Sequence, residues 1–315
     1  MSLADEQKKL LIARVRTTFG SQLLTTAFND RKAIIGPDHF PGTDEGRLAQ
    51  DALSALESGK DPDPRGLAAL QLMIKLLRPA PLIESANVGG LDVQAEEAFP
   101  EWSSFTNVVR PILNSIGRIN DSEGRGVGTG FLIDEKTIIT NAHVLSVLSR
   151  GTMVLGKGQA TIDFRKEYRG FEEEARAILS TVAVDETHDL ALLRIVPADG
   201  DCQRPLETRA NGISANAAVV AIGYPFDDPM RNPLFINGIF ENIFGVKRAA
   251  PGRIIETSET VLTHDCSTLG GNSGSPLLSM GDGALVGVHR EGLFMYVNSA
   301  VPAKIVEEFC ASHAQ

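Results

Sequence analysis

Residues 265–276 read Asp265-Cys266-Ser267-Thr268-Leu269-Gly270-Gly271-Asn272-Ser273-Gly274-Ser275-Pro276. One serine, Ser273, stands among glycines, where the backbone can turn tightly and leave a hydroxyl exposed. Acyl transfer needs backbone N–H groups aimed at a developing oxyanion, and only small residues let a substrate carbonyl approach those amides closely. Ser273 is therefore a candidate nucleophile. A Gly/Ser-rich stretch is by itself only a turn, so the reading depends on the rest of the chain.

Upstream, Gly128-Thr129-Gly130-Phe131-Leu132-Ile133 is followed by the charged turn Asp134-Glu135-Lys136 and then by Thr137-Ile138-Ile139-Thr140-Asn141-Ala142-His143-Val144. β-branched residues dominate both apolar runs, which predicts strands over 130–133 and 137–140 with His143 just past the second. Further on, Thr187-His188-Asp189-Leu190-Ala191-Leu192-Leu193-Arg194-Ile195 sets a carboxylate at the mouth of an apolar strand. Taken singly, His143 reads as a structural histidine and Asp189 as a strand-start turn residue. Together they occur in the order His143, Asp189, Ser273, one of the three chain orders in which a serine triad is built.

With Ile222-Gly223-Tyr224-Pro225 and Gly271-Asn272-Ser273-Gly274-Ser275-Pro276 added, the chain resembles the trypsin-like serine peptidases. The likeness is to the bacterial branch that holds the glutamyl endopeptidases and, more distantly, the HtrA group, and it covers residues 102 to 315. It implies two packed antiparallel β-barrels with the site in the cleft between them, His143 and Asp189 from the first barrel and Ser273 from the second. It also implies roles. His143 takes the Ser273 proton during attack and returns it to the leaving amine, Asp189 orients the imidazole, and the amides of Gly271 and Ser273 form the oxyanion hole.

In the glutamate-preferring relatives a threonine shortly before the nucleophile and a histidine in a Gly-x-His strand line the pocket for the substrate side chain. Thr268 and Gly287-Val288-His289 fall at the matching places, which implies acceptance of an acidic residue. Position 267 is Ser267, where trypsins carry the aspartate that holds Lys or Arg. Asp265 has a second route into the pocket, and His289 has a second reading as a buried residue bonded to backbone. Arg290 and Glu291 depart from the relatives, which tend to have an aromatic and a glycine there.

The chain has 315 residues, 43% hydrophobic and 22% charged, with a net charge of −10, enough to bury a sizeable core in two domains. No basic, aromatic-rich stretch recurs, so nucleic acid is not an expected partner. The first residues run into a short apolar stretch interrupted by Arg14 and Arg16, neither a signal peptide nor a membrane span, and a membrane partner is not expected. The three cysteines, Cys202, Cys266 and Cys310, favour free thiols and a cytoplasmic setting. No zinc-type histidine cluster is present, and neither metal nor cofactor is expected.

Residues 1–80 read as a small helical bundle. Leu10, Leu11, Val15 and Phe19 recur at helical spacing, as do Leu48, Ala52, Leu53 and Leu56, and then Leu67, Leu70, Ile74 and Leu77. Residues 81–101 read as an extended, accessible linker carrying Glu84, Glu96, Glu97 and Glu101. From 102 on, short apolar runs at 152–155, 218–222, 234–236, 253–255, 284–288 and 293–297 suit antiparallel barrels, and 302–311 suits a closing helix that starts at Pro302. The expected fold is thus α+β and multidomain: an all-α bundle at 1–80, a linker at 81–101 and a mainly-β double-barrel peptidase domain at 102–315. The bundle's size and position are similar to adaptor-like domains that recruit a protein partner or regulate a peptidase. A pro-domain or a packing extension is equally compatible. Two functions follow: an intracellular serine endopeptidase acting on protein or peptide substrates, or a catalytically silent peptidase fold that binds proteins.

Overall fold

The computed structural model describes residues 8–9, 11–13, 15–16, 24–35, 44–76, 78–170, 174–198, 203–208, 212–228, 236, 239–293 and 297–313. The chain forms two compact units. One comprises Met1–Pro79, Asp92–Phe99 and Pro229–Asn242, the other Ala80–Leu91, Pro100–Asp228 and Ile243–Gln315.

The smaller unit is helical. Helices α1 (Leu24–Ile35), α2 (Glu45–Glu57) and α3 (Pro64–Leu76) bury Leu24, Ala27 and Phe28, then Ala49, Ala52, Leu53 and Leu56, then Ala69, Leu70, Met73 and Ile74. The start of α3 is local chemistry: Asp63 Oδ1 accepts the amides of Arg65 (2.8 Å) and Gly66 (3.3 Å), and Pro64 presents a preset φ where no N–H is needed. Leu11 and Val15 are buried as the spacing predicts, whereas Leu10, Phe19 and Leu77 lie outside the described residues.

The stretch expected as an extended linker is folded. Strands β1 (Ile83–Glu84) and β2 (Asn87–Val88) form a hairpin, followed by helix α4 (Val93–Ala98), so 81–101 is not extended throughout. The hairpin has no local turn signal, because Ser85 and Ala86 hold φ of 51° and 57°, values that such turns normally give to Asn or Gly. Its support is distant in sequence. The Ile83 amide donates to Lys247 O (3.1 Å), the Tyr168 amide to Ile83 O (3.0 Å), and the Ala249 amide to Pro81 O (3.0 Å). Helix α4 has a local cause, since Asp92 Oδ1 accepts the Ala95 amide at 3.2 Å.

Helix α5 (Trp102–Val109) and a 3₁₀ turn (Arg110–Ser115) lead into two closed barrels. The first contains β3 (Ile116–Asp121), β4 (Gly126–Asp134), β5 (Thr137–Thr140), helix α6 (Ala142–Leu148), β6 (Ala160–Asp163), β7 (Ala175–Asp185) and β8 (Leu190–Ile195), closed in the order β3-β4-β5-β8-β7-β6. Ile119, Leu132, Ile138, Ile162, Phe164, Ile178, Leu193 and Ile195 fill its interior. The second contains β9 (Ala218–Gly223), β10 (Arg248–Thr257), β11 (Leu262–His264), β12 (Pro276–Ser279), β13 (Leu285–Leu293) and β14 (Val297–Pro302), closed as β10-β11-β14-β13-β12-β9. Helix α7 (Ala303–Ser312) follows Pro302 as expected and buries Ala303, Val306 and Phe309. Closure removes sheet edges, which is how an all-antiparallel core avoids open pairing sites.

One expected strand differs, and two fall largely outside the described residues. Residues 152–155 form an irregular turn: Gly151 and Met153 have φ of 84° and 59°, and Thr152 Oγ1 donates to Ser149 O at 2.9 Å, so side-chain bonding supplants a ladder. Of 234–236, only Ile236 is described, and it is helical. The run 293–297 passes from β13 to β14, with 294–296 outside the described residues. Cys310 is half-buried and its thiol is pushed up to about 12 by burial, with Asp134 adding to the effect, so it stays protonated; Cys266 is buried and in no disulfide, and Cys202 lies outside the described residues.

Between the barrels sits an entirely buried cation. Lys247 Nζ donates to Leu113 O (2.8 Å), Phe164 O (2.9 Å) and Glu167 Oε1 (3.2 Å), while Glu167 Oε2 accepts the Ala86 amide of the hairpin at 2.8 Å. Burial pushes the ammonium down to about 8 against the pull of Glu167.

Candidate active site

Helix α6 begins directly after β5, which lifts His143 into its first turn. The Asp189 carboxylate meets that turn with both oxygens: Oδ1 accepts the His143 amide at 2.9 Å and Oδ2 faces His143 Nδ1 at 2.8 Å. This arrangement holds the ring with Nδ1–H toward the carboxylate and Nε2 free to take a proton. Asp189 adopts φ 59°, a left-handed conformation that costs on the order of 1 kcal/mol for a side chain of this kind. Asn141, buried just before the helix, steadies it by donating Nδ2 to Asp189 O at 2.9 Å. The His143 ring is 47% exposed and the Asp189 side chain 17%, so the pair is shielded on one side and open on the other.

A second such pair directly precedes Asp189 in the chain. His188 Nδ1 faces Asp185 Oδ2 at 2.7 Å, and burial of Asp185 is outweighed by its bonds from His188, so its carboxyl is held below the usual range. Here both partners belong to the single turn from β7 to β8, and the pair locks that turn immediately before Asp189.

The turn that carries Ser273 is fastened to the first barrel by Thr129, through its amide and its hydroxyl, and Thr129 is itself held by Thr140. The Thr129 amide donates to Ser273 O (2.8 Å), Thr129 Oγ1 to Gly271 O (2.7 Å), and Thr140 Oγ1 to Thr129 O (2.7 Å). A Cβ at Gly128 would lie 2.8 Å from Val144, the residue after His143, and 3.2 Å from Ser273 O, and one at Gly274 would lie 2.1 Å from Thr129 O, so both glycines stand where the two motifs approach each other. Gly271 has φ 91°, and a Cβ there would meet Tyr224 O at 2.2 Å. Among the described residues, neither the Gly271 nor the Ser273 amide is taken by an acceptor in the chain. The Ser273 hydroxyl donates to Arg290 O at 3.2 Å, so strand β13 holds it in this arrangement.

Ser267, Thr268 and His289 are buried on the same barrel, 3%, 7% and 2% exposed. The His289 backbone brackets the nucleophile turn: its amide donates to Ser275 O and its carbonyl accepts the Gly274 amide, both at 2.9 Å. Two residues join this group that sequence reading had passed over. His264 Nε2 lies 3.1 Å from His289 Nδ1 with the rings edge to face, and Asn298 donates Nδ2 to Cys266 O at 2.6 Å. Neither carries a local signal; each is brought in by pairing of β14 with β11 and with β13. Asp265, a second candidate for the pocket, accepts the Arg253 amide with Oδ1 at 2.6 Å.

The family of the trypsin-like peptidase domain matches residues 128–288, which takes in His143, Asp189 and Ser273. The chain is similar to a glutamyl endopeptidase of Staphylococcus epidermidis, 25% identical over 180 residues that cover 55% of this chain and 57% of the relative. A "Probable serine protease" of Lysobacter enzymogenes is 28% identical over 206 residues, covering 52% of this chain and 53% of the relative. The chain thus spans little more than half the length of the curated relatives it matches. Among solved structures, the serine endoprotease from Yersinia pestis is 19% identical with a TM-score of 0.47, covering 66% of this chain and 65% of the other. With the family matched over half of its length and two six-stranded barrels observed, the chain belongs to the trypsin-like serine peptidases.

Proposed function

We propose that the protein is a serine endopeptidase that cleaves protein or peptide chains through His143, Asp189 and Ser273. The observation that carries this reading is the two-point grip of Asp189 on His143, amide and ring together, beside a nucleophile turn bound by Thr129. Ser273 Oγ leaves Arg290 O by rotation about its own side chain, gives its proton to His143 Nε2 and attacks the scissile carbonyl. The Gly271 and Ser273 amides receive the oxyanion, a contribution of about 3 kcal/mol per donor. The protonated ring, held by Asp189, then delivers the proton to the departing amine, and water repeats the cycle on the acyl-enzyme.

Ser267, Thr268 and His289 support acceptance of an acidic residue on the acyl side, in keeping with the name of the Staphylococcus relative. His264 favours the same reading, since a second imidazole against His289 can share the positive charge that a bound carboxylate induces. The helical unit is proposed to recruit or restrain the peptidase, and the cysteine usage suits an intracellular setting.

The second reading, a silent fold that binds proteins, draws on the Ser273 hydroxyl resting on Arg290 O. A fluorophosphonate probe separates the two. Covalent labelling of wild type and not of Ser273→Ala supports the peptidase. Folded wild type that stays unlabelled, both whole and with residues 1–79 removed, supports the binding module.

A further inference from the structure

Strand β13 carries a bulge beside the nucleophile. Its ladder with β14 pairs His289 with Ala300 and Glu291 with Ser299, which leaves Arg290 as the extra residue. Neighbours in a regular strand point to opposite faces. Here the bulge brings Arg290 and Glu291 to the same side, and Arg290 Nη2 donates to Glu291 Oε1 at 3.2 Å. The preceding side chain, His289, is buried, whereas Arg290 is 27% and Glu291 72% exposed. The Glu291 backbone is held by Ser299 Oγ, which donates to its carbonyl at 3.3 Å. A bulge next to a site re-aims a side chain, and the re-aimed one here is an obligate cation whose own carbonyl lies 3.2 Å from Ser273 Oγ.

We infer that Arg290 is a specificity-determining residue that reads an acidic side chain on the substrate residue preceding the one whose carbonyl is attacked. An extended substrate beside β13 alternates its side chains as a strand does. The residue that supplies the carbonyl turns toward the buried His289 face, and the one before it turns toward the Arg290 face. The guanidinium meets a carboxylate with two parallel N–H donors. Glu291 does not block this. An exposed pair of sequence neighbours contributes little, so Glu291 pre-positions the guanidinium and yields or shares it when a substrate carboxylate arrives. The substrate class is therefore a chain with an acidic residue immediately before the residue cleaved after.

This inference rests on the peptidase reading and not on the acid-accepting pocket, and the experiment keeps them apart. Four peptides carry Glu or Ala at the cleaved-after position and Glu or Ala at the position before it, and kcat/KM is measured for wild type, Arg290→Ala, Arg290→Lys and Arg290→Glu. Wild type should gain about tenfold from Glu at the preceding position, mostly in KM, with the gain shrinking at high salt. Arg290→Ala should bring that ratio to about one, Arg290→Lys should keep part of it, and Arg290→Glu should invert it, so that Ala is preferred to Glu at the preceding position. No gain in wild type, or a gain that survives Arg290→Ala, overturns the assignment. If the cleaved-after position shows no acid preference while the preceding one does, the pocket reading fails and this one stands.

Discussion

The Thr129 amide donates to the Ser273 carbonyl at 2.8 Å, a backbone bond from β4 of one barrel to the nucleophile turn of the other. It makes the two barrels register on the proposed nucleophile. Gly128 allows the approach, because a side chain there would enter the space of Val144 and of Ser273 O. Gly128→Ala should therefore lower kcat by at least about tenfold through a misplaced nucleophile while far-UV circular dichroism stays unchanged, since displacement of a reacting group by about 1 Å can cost two orders of magnitude. A variant with wild-type kcat would show that the approach is only packing.

Asp189→Asn keeps the size of the side chain and exchanges one acceptor oxygen for an amide donor facing His143 Nδ1. The ring then settles in the wrong tautomer, and activity should fall by about 10⁴-fold with little loss of stability. Ser273→Ala should abolish turnover and leave the melting temperature within a few degrees of wild type, because a half-buried hydroxyl contributes little to packing. A fall of less than about tenfold for Asp189→Asn would remove Asp189 from the triad.

Lys247 makes stability depend on alkaline pH with a defined sign. Burial lowers its folded pKa from 10.5 to about 8, so between these values the unfolded chain binds more protons than the native one. Stability from this group therefore rises as pH rises from about 8 toward 10.5, by on the order of 3 kcal/mol over the whole window. Urea midpoints measured across that window should show the rise in wild type against the falling background from other groups, and lose it in Lys247→Met. The single variant should be destabilised at pH 7 by about 3 kcal/mol or more, because Glu167 is left buried with its charge, and Lys247→Met with Glu167→Gln should recover part of the loss.

The hairpin turn at Ser85 and Ala86 holds two side chains at positive φ. Replacing the pair by Asn-Gly, the residues such a turn prefers, should raise stability by about 1–2 kcal/mol. An unchanged or lower melting temperature would mean that the Ala86 amide bond to Glu167, and not the turn conformation, governs this segment.

What the sequence determined by itself were features with a local cause. Strand β5, the closing helix after Pro302, the start of α3 at Asp63-Pro64 and the triad candidates are written in short motifs, because a β-branched run, a preset proline φ or a capping carboxylate acts within a few residues. The glycines of the Gly-Thr-Gly and Gly-Asn-Ser-Gly stretches were visible too, although their reason, mutual backbone approach, was not. Only the tertiary structure decided the hairpin at 83–88, whose bonds run to Lys247 and Tyr168, and the folded state of a stretch that composition alone made look like a linker. The same holds for His264, Asn298 and the bulge that turns Arg290 outward. Strand pairing joins residues far apart in the chain, and a one-residue change of register exchanges the faces they occupy, so no local pattern can announce them.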